Sequence, residues 1–245
     1  MSKSTRLVID AGNTRVKYAL FEGQELLQLE QVATEKFLTE SLPKADLAAF
    51  STVSLSESLL LDALKAADIH RFTFFGSYDA LPFPSVYTSP ETLGQDRKAN
   101  ILAALTKFPS KACLVISLGT CITYDLIGAD GRHLGGDISP GYRMRLQAMH
   151  TFTRRLPLVD PEKAVAALGF DTESALLSGA FHGMAGELLA RITAFEAQEP
   201  DLTIILSGGD TSLFEKTLGK QIFAEPHLAL YGLNALLDST FYHGK

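Results

Sequence analysis

A stretch near the start of the chain returns in its middle. LVIDAGNTRVKYALFEG, Leu7–Gly23, is echoed by LVISLGTCITYDLIGADG, Leu114–Gly131, with Gly12 over Gly119 and an offset of 107 residues. Each copy reads as strand, glycine turn, strand, turn, strand. Two copies separated by more than a hundred residues describe a duplicated domain, because a solenoid needs many short repeats stacked in series. Helical patterns follow both copies, so each half is expected to be a strand meander with crossover helices, an α/β lobe built on a mixed sheet. The division is expected near residue 110, giving lobes over 1–110 and 111–245.

Periodicity fills in the rest. Arg6–Asp10, Val16–Phe21, Glu25–Val32, Asp46–Thr52 and Phe72–Phe75 read as strands, and Ser56–Ala67 as a helix capped by Ser54 or Ser56. LPFPSVYTSP carries three prolines in ten residues, excludes helix and central strand, and is expected to be an extended loop leading to Thr92-Leu93-Gly94. A helix is expected from Asp96 to Lys107. Strands follow at Ala112–Ser117, Ile122–Ile127 and His133–Ile138, then helices from Pro140 to about Thr153 and over Thr172–Phe195. Leu202–Leu206 is a strand ending at Ser207-Gly208-Gly209-Asp210, where a helix starts, and His227–Tyr242 forms a terminal helix.

Composition narrows the class. With 46% hydrophobic and 20% charged residues over 245 positions, the chain can bury a sizeable core. A net charge of −6 argues against nucleic acid or an anionic membrane as the main partner. The first ten residues lack the apolar run of a signal peptide, and no stretch approaches the roughly 18 apolar residues of a membrane span. Cys113 and Cys121 have neither CxxC nor zinc spacing and read as thiols of a reduced compartment. The expected location is cytoplasmic.

Five short segments could carry chemistry. In Asp10–Lys17 the Gly12-Asn13 pair suits a tight hairpin with positive φ, but a carboxylate closing an apolar strand calls for turn amides or a cation such as hydrated Mg²⁺. The amides and the Thr14 hydroxyl are what phosphate oxygens require. Leu118-Gly119-Thr120-Cys121 repeats that shape with Ser117 in place of the carboxylate, and Ser207–Asp210 adds a glycine turn with either a capping Asp210 or a flat floor for a purine. In Gly94-Gln95-Asp96-Arg97, Asp96 either complements a helix dipole or takes a hydroxyl proton, while Arg97 can grip a carboxylate or phosphate oxygen. Gly135–Gly141 allows close backbone approach, with Asp137 a turn acceptor or a pocket residue. The six histidines show no metal-ligand spacing, and the P-loop, nucleophile-elbow and dinucleotide fingerprints do not occur.

Taken together, DAGNT at 10–14, GQDR at 94–97, SLGTC at 117–121 and GGDISPG at 135–141, with Leu156-Pro157, Thr172 and Ser178-Gly179 further on, resemble the type III pantothenate kinases. These belong to the acetate kinase, sugar kinase, Hsp70 and actin superfamily. The resemblance covers nearly the whole chain. It implies two duplicated ribonuclease-H-like (actin-like ATPase) lobes with ATP in the cleft between them. It also implies phosphorylation of pantothenate, the first step of coenzyme A biosynthesis. ATP would be bound by Asp10, Ala11, Gly12, Asn13, Thr14, Arg15, Val16 and Lys17 together with Thr120. Asp96 would be the catalytic base, and Tyr87, Gly94, Gln95, Asp96, Arg97 and Thr172 would contact pantothenate. Asp10 would orient metal-bound water on Mg²⁺. A homodimer with a pocket completed by the partner chain is implied too, as is a monovalent cation, K⁺ or NH₄⁺.

The chain departs from the pattern at one place. The aspartate associated with the monovalent cation is Ser117 here, and a hydroxyl is a far poorer cation ligand than a carboxylate. The cation site is therefore either lost or rebuilt from backbone carbonyls. Two other functions fit the same motifs: a superfamily kinase with another small acceptor, and a non-catalytic ATP-binding regulatory homologue. Ser117 favours the latter; Asp10, Asp96 and Arg97 oppose it, since a sensor needs no hydroxyl-activating base.

Overall fold

The computed structural model describes residues 4–76, 81–219 and 221–241. They form two compact units. The first holds the residues up to Ser110, Gly131–His133 and His227 onward; the second holds Lys111–Asp130 and Leu134–Pro226. The expected straight cut at 110 differs from this in one important respect. The terminal helix packs with the first unit, because its leucines cover a sheet face there.

The first unit contains strands β1 (Thr5–Ala11), β2 (Arg15–Glu22), β3 (Glu25–Ala33), β4 (Leu47–Thr52) and β5 (Phe72–Phe74). Its helices are α1 (Thr34–Phe37), α2 (Glu57–Ala66), α3 (Gln95–Lys107) and, from the chain's end, α7 (Leu228–Phe241). The second unit contains β6 (Cys113–Leu118), β7 (Cys121–Ile127), β8 (His133–Pro140, whose first residue packs with the first unit), β9 (Thr203–Ser207) and β10 (Phe223–Ala224). Its helices are α4 (Tyr142–Thr151), α5 (Thr172–Glu196) and α6 (Thr211–Phe214).

The sheet orders, β3-β2-β1-β4-β5 and β10-β9-β6-β7-β8, are the same order read in opposite directions. In each, an antiparallel meander (β1–β3, β6–β8) is extended by two strands that join in parallel on the far side. The repeat in the sequence is thus a repeat of topology, with Gly12 and Gly119 in equivalent turns.

Alternation along the strands explains the layering of the first unit. Leu7, Ile9, Ala11, Val16, Ala48 and Phe50 face a core closed by Leu60 and Leu64 of α2. Val8, Ala19, Phe21, Leu47 and Ala49 face the opposite way, onto Ala99 of α3 and Leu230, Leu233 and Leu237 of α7. Helices α3 and α7 touch so closely that a Cβ on Gly232 would lie 1.8 Å from the Ala99 carbonyl oxygen, so only glycine fits. In the second unit, β6, β7 and β9 bury Leu114, Ile116, Tyr124 and Leu206 against Tyr142 of α4 and Leu177, Met184 and Leu188 of α5.

Helix ends follow local chemistry. Ser56, not Ser54, caps α2 by accepting from Leu59 N–H at 3.4 Å. Asp171 and Ser174 form a reciprocal capping box at α5. Helix α3 starts one residue before the expected Asp96. The Leu81–Pro90 region is irregular apart from a bridge between Ser85 and His133 and the start of a 3₁₀ turn at Pro90–Thr92. Strand β10 carries no periodicity in its two residues and went unforeseen. Tyr87 lies among the described residues, whereas the expected end of the last helix at Tyr242 lies outside them.

Candidate active site

Asp10 is the last even-numbered residue of β1 and continues the row begun by Val8, on the α3–α7 side of the first sheet. Register places Lys17 of β2 and Ser51 of β4 on either side of it, each continuing an apolar row on the same face. Ser51 Oγ donates to Asp10 Oδ1 at 2.8 Å. The carboxyl is only partly exposed, and burial pushes its pKa up, opposed by the Ser51 hydrogen bond and the charges of Lys17 and His227. Burial likewise pushes the Lys17 ammonium down, with Asp10 pulling it back and Arg15 adding to the fall. This end of the sheet therefore holds a carboxyl and an amine in a low-dielectric setting, where the charge of each favours the charge of the other.

The turn that follows is the expected short hairpin, with only Gly12–Thr14 between β1 and β2, but it lacks the expected left-handed backbone. Gly12 N–H donates to the Arg15 carbonyl at 3.1 Å, and neither Gly12 nor Asn13 has positive φ. The turn is held from outside instead. Ser54 Oγ donates to the Gly12 carbonyl at 2.8 Å, and Thr34 N–H donates to the Thr14 carbonyl at 3.4 Å. Asn13, Thr14 and Arg15 are exposed, while Ala11 and Val16 point into the opposite core. Ala11 and Val16 can therefore offer a ligand only their backbone.

Helix α3 reaches the same end of the sheet. Gln95 is nearly buried; its Oε1 accepts from Thr52 N–H at 3.0 Å, and Thr52 pairs with Ala11. This tether fixes the first turn of α3, where Asp96 is partly exposed and Arg97 is 4% exposed. The Asp96 carboxylate folds back over Gly94, so that a Cβ there would lie 2.5 Å from Asp96 Oδ1. Tyr87 lies beneath Arg97, with Cζ 5.6 Å from the ring centroid.

In the second unit three glycine turns converge on Leu118–Thr120. Gly119 N–H donates to the Cys121 carbonyl, Gly141 N–H to the Thr120 carbonyl and Asp210 N–H to the Leu118 carbonyl, each at 3.1 Å. A Cβ on Gly141 would lie 2.1 Å from the Gly119 oxygen, and one on Gly208 2.3 Å from the Leu118 oxygen; Gly208 also has φ of +93°. Thr120 is exposed at the tip. Ser117 pairs with Thr123 of β7 and Ser207 of β9, a row of neutral hydroxyls. Asp137, at the surface, is ion-paired with Arg191. Arg143 pairs with Glu162 and lies 3.6 Å from Asp210, whose carboxyl is pushed up by burial.

The structure thus brings Asp10–Lys17, Tyr87 and Gly94–Arg97 into the first unit and Thr120 into the second. Thr172, also in the second unit, is exposed at the first position of α5. Ser51, Ser54 and His133 also belong to the site region of the first unit, yet carry no signature in the sequence; only strand pairing and loop contacts reveal them.

The duplicated topology and these paired glycine turns define the actin-like ATPase and sugar-kinase class. A Baf family protein from Campylobacter jejuni superposes with a TM-score of 0.61 at 22% identity, covering 95% of this chain and 98% of that one. A Sinorhizobium meliloti protein described as a 2-dehydro-3-deoxygalactonokinase gives 0.56 at 14% identity, covering 97% of both chains. These likenesses concern fold alone. Residues 6–194 match the family model for type III pantothenate kinase. The type III pantothenate kinase of Christiangramia forsetii is 40% identical over 238 residues, covering 95% of this chain and 97% of that protein. That of Bacteroides fragilis is 39% identical over 236 residues, with the same coverage. The chain belongs to the type III pantothenate kinase family.

Proposed function

We infer that this chain transfers the γ-phosphoryl group of ATP to the primary hydroxyl of pantothenate, the first step toward coenzyme A. The observation that carries the reading is the Gln95 tether. It ties the first turn of α3, with Asp96 and Arg97, to the end of the first sheet where Asp10 lies. This supports reading Asp96 as the hydroxyl-activating carboxylate and the Asp10 turn as part of a phosphate-binding loop.

Phosphoryl transfer leaves little covalent work to the protein, so positioning and charge neutralisation dominate. In this reading the backbone of Gly12–Thr14 and the Lys17 ammonium bind the phosphate chain. Asp96 aligns the pantothenate hydroxyl and accepts its proton. Arg97, stacked on Tyr87, holds the acceptor's carboxylate or the charge developing in the transition state.

The donors at Asp10 fit a hydrated Mg²⁺: a hard, partly buried carboxylate with one oxygen already oriented by Ser51. When bound, Mg²⁺ neutralises phosphate charge; Asp10 would hold its water shell. The Ser117 row does not fit a carboxylate-anchored monovalent cation, because its cross-strand neighbours Thr123 and Ser207 also supply only hydroxyls. No step is assigned to such an ion.

A homodimer belongs to the same reading. Phe152, Leu168 and Phe170 are 87%, 83% and 85% exposed, and the last two precede Thr172 closely in sequence. A second copy covering them would remove a large apolar surface from water and offer Thr172 to the neighbouring acceptor site. Cytoplasmic work suits the two free cysteines, Cys113 being a buried thiol pushed up to about 11. Among the described residues no helix is long and apolar enough to cross a membrane.

The test is pantothenate-dependent ADP formation. Asp96→Asn should fold normally and lose about 10²–10⁴-fold in kcat. Near wild-type turnover in that variant would remove Asp96 from its role. A wild-type protein that forms no ADP with pantothenate in any salt favours the nucleotide-binding regulatory reading.

A further inference from the structure

Three planar groups form a series beside Asp96. The Arg97 guanidinium lies over the Tyr87 ring, and the Tyr87 ring stacks on His133 with centroids 6.0 Å apart and planes at 26°. Phe83 meets the His133 ring edge-on at 6.2 Å. His133 is fully buried and contributes to none of the motifs described above.

Its hydrogen bonds converge on the same segment. Ser85 Oγ lies 2.9 Å from His133 Nδ1 and accepts from the Tyr87 N–H at 3.0 Å. On the main chain, His133 N–H donates to the Pro84 carbonyl at 2.9 Å, and Val86 N–H donates to the His133 carbonyl at 3.0 Å. The Pro84–Tyr87 segment belongs to a proline-rich loop with no ladder beyond one isolated bridge. A single residue therefore anchors that loop twice, through its ring and through its backbone.

Building on the reading that Tyr87 and Arg97 bind the acceptor, we propose that His133 is a positioning residue for pantothenate. Its ring fixes the plane of Tyr87 and, through Tyr87, the guanidinium of Arg97. A loop side chain left to its own rotamers spends binding energy on being ordered, whereas one stacked and bonded beforehand does not. Phenylalanine could supply the ring face, but only a residue with a polar atom at Nδ1 also secures the Ser85 hydroxyl that holds Tyr87 N–H. The ATP-side residues Asp10, Lys17 and Ser51 make none of these contacts.

The experiment is a mutant cycle read separately for each substrate. His133→Ala should raise the KM for pantothenate about 10-fold, the combined loss of one hydrogen bond and one aromatic stack. His133→Phe, which keeps the ring, should raise it about threefold. The KM for ATP should stay within about twofold in both, because the stack and the hydrogen bonds named above act on Tyr87 and Arg97. In a Tyr87→Leu background either His133 change should add nothing further, because its effect runs through the missing ring. If His133→Ala fails to fold, the His133→Phe and Tyr87→Leu cycle carries the same test. Additive losses, or equal increases in both KM values, overturn the inference and leave the kinase reading intact. A wild-type protein without pantothenate-dependent turnover overturns both.

Discussion

Gly94→Ala isolates the position of the Asp96 carboxylate. Gly94 has φ −52° and ψ 141°, a conformation alanine adopts without strain. The added methyl would lie 2.5 Å from Asp96 Oδ1; the next atoms, Asp96 Cγ and Arg97 Cγ, are at ordinary contact distances of 3.8 and 3.9 Å. The obstacle is therefore the carboxylate tip, which must retreat by about 1 Å to reach normal van der Waals separation. Replacing glycine by alanine at a helix N-cap costs on the order of 1 kcal/mol. In a chain of this size that lowers Tm by about 2–4 °C. A displacement of about 1 Å at the reacting centre costs up to 10²-fold in rate. The expected result is a kcat about 10- to 100-fold lower with nearly unchanged melting, measured by coupled ADP release at saturating ATP and pantothenate and by a thermal melt. A kcat within about threefold of wild type would refute the placement of the base, since the carboxylate cannot stay where it is beside a methyl group. A Tm drop beyond about 10 °C would show instead that the backbone at Gly94 cannot accept a side chain.

Ser51→Ala removes the hydrogen bond to Asp10 and should raise the KM for Mg–ATP about 10-fold while leaving pantothenate KM unchanged; equal movement of both contradicts it. Replacing K⁺ or NH₄⁺ by a large organic cation at constant ionic strength should change wild-type turnover by less than about twofold, whereas Ser117→Asp should introduce a dependence on K⁺. A strict K⁺ requirement in the wild type would mean that carbonyls rebuild the site. Asp210 has its carboxyl raised by burial, with Arg143 opposing. Ionising it therefore opposes folding, a cost absent below the ordinary value of 3.8 and growing as pH rises through it toward the folded-state value. Asp210→Asn, which leaves Arg143 its Glu162 partner, should melt above wild type near pH 7, with the difference closing at about pH 3.5. An equal or lower Tm near pH 7 would contradict this sign.

Local pattern was enough for most of the fold. The echo of Leu7–Gly23 at Leu114–Gly131 anticipates two sheets with matching strand order, because hydrophobic alternation and glycine turns are written in consecutive residues. Lateral pairing is not written that way. Ser51 sits in the apolar run LAAFST and becomes a partner of Asp10 only once β4 lies parallel to β1 in one register. His133 follows the turn after β7 but meets Ser85, 48 residues earlier in the chain. The leucines of α7 fit any apolar face, and the close seat of Gly232 on Ala99 is what assigns that helix to the first unit. The expected positive φ at Gly12 failed for a related reason: Ser54 and Thr34, distant in sequence, shape that turn from outside.

The return of α7 has a consequence for how the chain is made. Val8, Ala19, Phe21, Leu47 and Ala49 are synthesised early, yet the leucines that cover them arrive only with residues 228–241. At about 5–20 residues per second, that sheet face waits on the order of ten seconds or more at the ribosome for its cover. The second unit, nearly contiguous between Lys111 and Pro226, is free to close first. Translation order and folding order are thus inverted: the first unit to be made is the last to be sealed.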